Sequence, residues 1–196
     1  PVTEWVTRVQ LPADNRAKVE PERADPAVRE MTKDASAVSD AVLFFAYMCA
    51  SVEVKTEVFD RLLRTAPIER LGDVVSRSTQ AASPEAQEDA LVRVTASAKP
   101  DLDAVAELVT ALAWRRPSDR LYPAMRLLLA SQEKDHVNAG IDAAKRLGRE
   151  DMLPELAAVL DSMDVDLRQS AKEAIDAIVD LRKLKEESRK KAADGR

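Results

Sequence analysis

From Asp34 onward, apolar residues recur every three or four positions in segments of about 12–16 residues divided by short polar breaks, the spacing of amphipathic helices packed on one another. Ala37 to Ser51 predicts a strongly apolar helix. Val54, Val58, Phe59, Leu62 and Leu63 predict a second that ends before Pro67 and closes a hairpin with the first. Ile68 to Thr79 follows, with Leu71, Val74 and Val75 inward. Ser83-Pro84-Glu85 then opens a helix through Ala90, Leu91 and Val94, because Ser is a good N-cap and Pro suits the first helical position. Lys99-Pro100-Asp101 starts the next, burying Val105, Leu108, Val109 and Leu112 and stopping at Arg116-Pro117. Ser118 or Asp119 caps a helix holding Leu121, Met125, Leu128 and Leu129. Three more run from Asp135 to Leu147, Asp151 to Leu160 and Asp164 to about Ala192.

Before this periodic region, Pro12, Pro21 and Pro26 interrupt near-balanced charges, and Pro disfavours helix at itself and at the residue before it. A short helix at Thr3 to Val9 followed by an extended arm is the expectation. The chain thus divides into an arm over 1–34, a helical domain over 35–181 and a basic helical tail over 182–196. The tail, Arg182 to Lys191, reads as a solvated continuation of the last helix or as a contact for an acidic partner or membrane surface. It also suits the polar cap that a terminal repeat needs.

The last two helices carry a repeat pattern. Leu153-Pro154-Glu155-Leu156 to Leu160 is followed by Asp164-Val165-Asp166-Leu167-Arg168, then Ala171, Ala174, Ile175 and Ile178. Tyr122-Pro123-Ala124-Met125 precedes the first helix of this pair by 31 residues, and Val137, Ile141 and Ala144 precede the second by 30. The pattern resembles a HEAT (armadillo-type) repeat, with its proline near the start of a Leu-rich first helix, an acidic turn and an apolar-Arg pair opening the second. The resemblance implies an all-α, α-α superhelix, a HEAT-like solenoid of stacked antiparallel hairpins with about nine helices here. It further implies that Arg168 and its neighbouring aspartates tie adjacent repeats, a role Asn138 would not fill one repeat earlier.

Composition narrows the function. Aromatics at 4% and only four glycines fit helices packed on small side chains and leave no phosphate loop. Gly140 falls inside a helix as a close-packing position, and Gly148 as a helix C-terminal cap. Cys49 is the single cysteine and His136 the single histidine, so neither a disulfide framework nor a two-histidine metal site is expected, and no cofactor. Cys49 lies in the run Leu43 to Cys49 and reads as a buried thiol in a core helix. Asp161, Asp164 and Asp166 lack the Gly and bidentate Glu of a calcium loop and read as caps and repeat ties. No apolar run approaches the about 18–20 residues of a membrane span, and a chain complete as it stands would be expected in the cytoplasm. The net charge of −5 argues against a nucleic-acid partner.

What remains is a protein-binding or scaffolding role without catalysis, with another protein or peptide as partner. Trp114, Arg115, Arg116, Tyr122 and Arg126 form one aromatic-basic grouping, the residue types of interface hot spots. The same residues also suit a core Trp with Arg side chains at a helix C-terminus. Arg61, Arg64, Arg93, Asp142, Lys145, Lys172 and Asp176 lie between inward positions on the second helices of the hairpins and are the further contact candidates. Fold resemblance alone offers enzymatic alternatives: HEAT-like glycosylases of alkylated DNA and HEAT-like lyases that attach bilin pigments. A third class is a structural segment of a longer repeat protein.

Overall fold

The computed structural model describes residues 21–194, with side chains from Ala24 to Lys190. The expected helix at Thr3–Val9 and the arm up to residue 20 lie outside the described residues. Among these residues the fold is all-helical and without strands: α1 (Pro21–Met31), α2 (Asp40–Cys49), α3 (Val52–Thr65), α4 (Ile68–Ser78), α5 (Pro84–Thr95), α6 (Leu102–Arg115), α7 (Tyr122–Leu129), α8 (Lys134–Leu147), α9 (Leu153–Val159) and α10 (Val165–Asp194). Single 3-10 turns at Asp119–Leu121 and Glu150–Met152 lead into α7 and α9. No helix among the described residues is long and apolar enough to cross a membrane.

Nine helices stand where the apolar spacing places them, and the tenth corrects the expectation of an extended arm. α1 forms despite Pro26 in its interior. Its neighbours compensate for the lost backbone bond: Ala24 and Val28, four residues apart, are buried, as is Thr32 just beyond. Asp25 receives the backbone N–H and hydroxyl of Ser51 at 2.8 and 2.7 Å, and Arg29 meets Glu57 at 2.8 Å. All of these partners are distant in sequence, which is why proline punctuation misreads the segment.

The extra helix also changes the pairing. Helices adjacent in sequence pack as α1 with α2, α3 with α4, α5 with α6, α7 with α8 and α9 with α10, and also as α4 with α5 and α6 with α7. The predicted hairpin of α2 with α3 is not among them. In addition, each odd helix packs on the next odd helix and each even helix on the next even one, so there is a first row (α1, α3, α5, α7, α9) and a second (α2, α4, α6, α8, α10). One apolar core runs between the rows, from Val28 and Leu43 through Phe59, Leu91, Leu108 and Met125 to Ile178. Gly140 sits where a Cβ would lie 3.0 Å from Leu129 Cγ, and Gly148 ends α8 at φ 59°, as the sequence suggested.

Candidate interaction surface

Most charged side chains of the first row are consumed in joining one helix of the row to the next. Ser51 and Ser83 cap α3 and α5 by accepting from Val54 and Ala86 N–H at 3.3 Å. Their own hydroxyls donate to the preceding odd helix, Ser51 to Asp25 and Ser83 to Asp60 at 2.6 Å. Ser118 makes the same contact at 2.5 Å to Glu88, whose carboxylate is also approached by Arg116 and Arg120. An acid on one odd helix thus fixes the start of the next, using donors that every helix N-terminus leaves unmet.

Three predicted contact residues belong to this stitching. Arg61 donates to the Thr32 carbonyl at 3.0 Å and hydroxyl at 2.8 Å, just past the end of α1. Arg93 donates to the Leu63 and Ala66 carbonyls at 2.6 and 2.5 Å, closing α3. Arg64 pairs with Asp89 at 3.1 Å. Because the pairing is shifted upstream of α5, these three lie on first-row helices, while Asp142, Lys145, Lys172 and Asp176 lie on the second row. Asp142, Lys172 and Asp176 are exposed, and Lys145 approaches Glu173 at 3.7 Å.

The aromatic-basic grouping divides at the end of α6. Arg116 turns to Glu85 and Glu88 on the first row. Tyr122 lies between the guanidinium groups of Arg126 and Arg149, 5.6 and 4.4 Å from its ring centre, and Arg126 pairs with Glu155 at 2.6 Å. Trp114 and Arg115 instead face the second row. Trp114 is 67% exposed, so it does not fill core, and the Arg146 guanidinium of α8 lies over its ring, within cation–π range. Arg115 donates to the Thr79 and Ala82 carbonyls at 3.0 and 3.2 Å, pinning α6 to the end of α4.

Beside Trp114 lies an open depression of about 530 Å³ between α4 and α6, lined by Thr79, Gln80, Ala106, Glu107, Thr110 and Ala111. Glu107 is held by the Thr79 hydroxyl at 3.2 Å. Farther along the row, Arg77 lies over the exposed Phe44 ring at 6.0 Å. Arg77 and Arg146 make no ion pair among the described residues; each is placed on an exposed aromatic ring instead. A larger depression, about 960 Å³, lies on the first row around Arg64, Asp89, Val92, Arg93 and Arg120, but its Arg64 and Arg93 groups are already engaged. Sequence reasoning missed Arg146 because only the packing of α6 on α8 brings it over Trp114, 32 residues away.

His136 joins α8 to α6: its Nε2 meets Asp103 at 2.8 Å and its Nδ1 meets the Ser131 hydroxyl at 3.1 Å. Glu133 completes a group of potential ligands, yet the two carboxylates approach different ring nitrogens. The arrangement fixes helix ends more readily than it would gather round one ion, which takes a single ring nitrogen. Asp164 caps α10 through the Asp166 and Leu167 N–H groups at 2.9 and 3.1 Å and pairs with Lys134 at 3.0 Å. Arg168, the expected tie, turns back to the Ser162 carbonyl at 2.6 Å; Lys134 joins α8 to the start of α10 in its place. Cys49 corrects another expectation. It is half-buried, its thiol pushed up by desolvation.

Comparison of the chain with family models, curated proteins and solved structures found no match. The class that fold and surface define is an all-helical protein with an aromatic-basic second-row face.

Proposed function

We propose that the two rows form a HEAT-like α-α superhelix and that the protein is a binding module without catalysis, taking a protein or peptide partner on its second-row face. The observation that carries this reading is Trp114, exposed on a folded helix with Arg146 over its ring and an open depression at its side. An exposed Trp loses favourable burial until a partner covers it, and Trp and Arg supply most interface energy where they occur. The ring is held by α6 and α8, so little ordering cost remains at binding. A second reading, a segment of a longer repeat array, draws on the exposed Phe44 and Met48 at the α2 end of the second row.

The test is selection of binding peptides from a displayed library, followed by titration against the parent protein, Trp114→Ala and Arg146→Ala. Both variants are expected to weaken binding tenfold or more, by about 1.4 kcal/mol at least, while Arg116→Ala on the first row leaves it within about twofold. Equal affinity for all four proteins would overturn the placement. Turnover of alkylated DNA, or transfer of a bilin, lost on substitution of Trp114 or a second-row Asp, would replace binding with an enzymatic role.

A further inference from the structure

The even helices stand side by side with like ends together. At one end Asp40 of α2 meets Arg70 of α4 at 3.3 Å, and Asp103 of α6 meets His136 of α8 at 2.8 Å. At the other, Arg115 of α6 reaches the Thr79 and Ala82 carbonyls just past α4, and Arg146 of α8 lies over Trp114 of α6. Charges placed to suit the helix dipoles then sort this face into two edges. The first turns of α4, α6 and α8 carry Glu69, Asp103 and Asp135, and the last turns carry Arg77, Arg115, Lys145 and Arg146. α6 has 14 residues, so the edges lie about 20 Å apart, well beyond the about 8–10 Å over which exposed charges act on one another at physiological salt. The basic edge therefore keeps its own field within a chain whose net charge is −5. Lys145 is met by Glu173, which leaves the sign of the edge to Arg77, Arg115 and Arg146, with Glu107 and Asp142 about one to two turns farther in.

We propose that the partner is an acidic peptide segment, one whose Asp or Glu carboxylate is gripped by Arg146 while a neighbouring aliphatic side chain fills the depression beside Trp114. This rests on the second-row face being the binding face. Stacking uses the flat face of a guanidinium and leaves its N–H donors in the plane, free to fork onto a carboxylate. The Trp114 ring already orients Arg146, so less side-chain freedom is lost when the carboxylate arrives. The depression supplies the apolar half of the site. Ala106, Thr110 and Ala111 line it beside Trp114, and side chains this short let an aliphatic group come close to the helix. Arg115 lines the same depression, so a second acid on the segment finds a second cation. A nucleic-acid strand suits the edge less well, because phosphate affinity accumulates over many cations and Glu107 lines the depression too.

Two displayed peptide libraries of equal length test this, one mixing Asp and Glu with Leu, Ile and Val, the other carrying Lys and Arg in place of the acids. Binders are expected from the acidic library only. For a peptide drawn from it, Trp114→Ala and Arg146→Glu should each weaken binding about tenfold or more, and Arg146→Lys, which keeps the charge but loses the fork, by less. The same peptide with its acids changed to Lys should fail on the parent and regain affinity for Arg146→Glu, an exchange that a merely structural Arg146 would not produce. Both positions are exposed, and the helical signal should be unchanged in every variant. Binders that need Trp114 but come from both libraries alike, or acidic binders indifferent to Arg146→Glu, overturn the acidic partner and leave the binding face in place. Absence of any binder sensitive to Trp114 overturns both. An oligothymidylate strand that displaces the peptide and binds more tightly overturns the peptide in favour of nucleic acid.

Discussion

Arg93 spends two of its donors on carbonyls at the end of α3, which shows how single residues hold this fold. Helix ends leave carbonyls unmet, and a side chain from the next odd helix meets them. Replacing Arg93 by Met keeps the aliphatic stem and leaves Leu63 and Ala66 without those donors. The expected loss is about 1–3 kcal/mol, read as a lower urea midpoint at unchanged slope. Gly148 is the other residue with a defined physical task. At φ 59° a Cβ meets the following carbonyl, at a cost of about 1–2 kcal/mol, and it would also lie 3.0 Å from Leu181 Cδ1. Gly148→Ala should destabilise by about that amount in the same assay, and Gly148→Asn by less, because Asn tolerates the left-handed region.

Acid–base ties act on whole elements. Hydrogen bonds from Leu167 N–H and then Lys134 hold the Asp164 carboxyl below its ordinary range, and the Arg29 hydrogen bond does the same for Glu57. A carboxyl whose folded value is depressed contributes stability above its unfolded value and loses it as pH falls through the folded one. These ties between α8 and α10 and between α1 and α3 are therefore at full strength above the ordinary values of 3.8 and 4.5. They weaken only in more acid solution. Asp164→Asn should flatten the fall in urea midpoint between neutral pH and about pH 3, with amide exchange rising first at the start of α10. Another element-level tie is the Asp60 contact with Ser83. Asp60→Ala leaves the N-terminus of α5 without its acceptor and should cost about 1–2 kcal/mol, whereas Asp60→Glu should recover part of it.

Across the molecule, bonds between residues about 30 positions apart recur: Arg61 with Thr32, Arg93 with Leu63, Ser118 with Glu88, Lys134 with Asp164. Each joins one helix pair to the next. Truncation inside the array removes an apolar neighbour and these polar ties together, so loss of α9 and α10 is expected to expose Ile141 and Ala144 and to lower cooperativity. A shallower urea transition and dye binding to the new surface would check this. Arg64 and Arg93 of the first row and Arg115 of the second are occupied by carboxylates or carbonyls, while Arg77 and Arg146 of the second row lie over exposed rings.

Apolar spacing and end chemistry by themselves determined nine helices, their inward residues and the caps at Ser83 and Gly148, because burial on one helix face and the chemistry of a helix end are local in sequence. It also put Trp114 and Arg115 among the candidates, by residue type. Tertiary structure alone decided that α1 is a helix despite Pro26, since Asp25, Val28 and Arg29 are satisfied only by α2, α3 and Ser51. With that extra helix, Arg61, Arg64 and Arg93 stand on the first row, where each bonds to a neighbouring helix. The same dependence on packing separated Arg116, Tyr122 and Arg126 from Trp114 and brought in Arg146. Local patterns fix which face of a helix is buried; which helix lies against it is set by contacts between residues far apart in the chain.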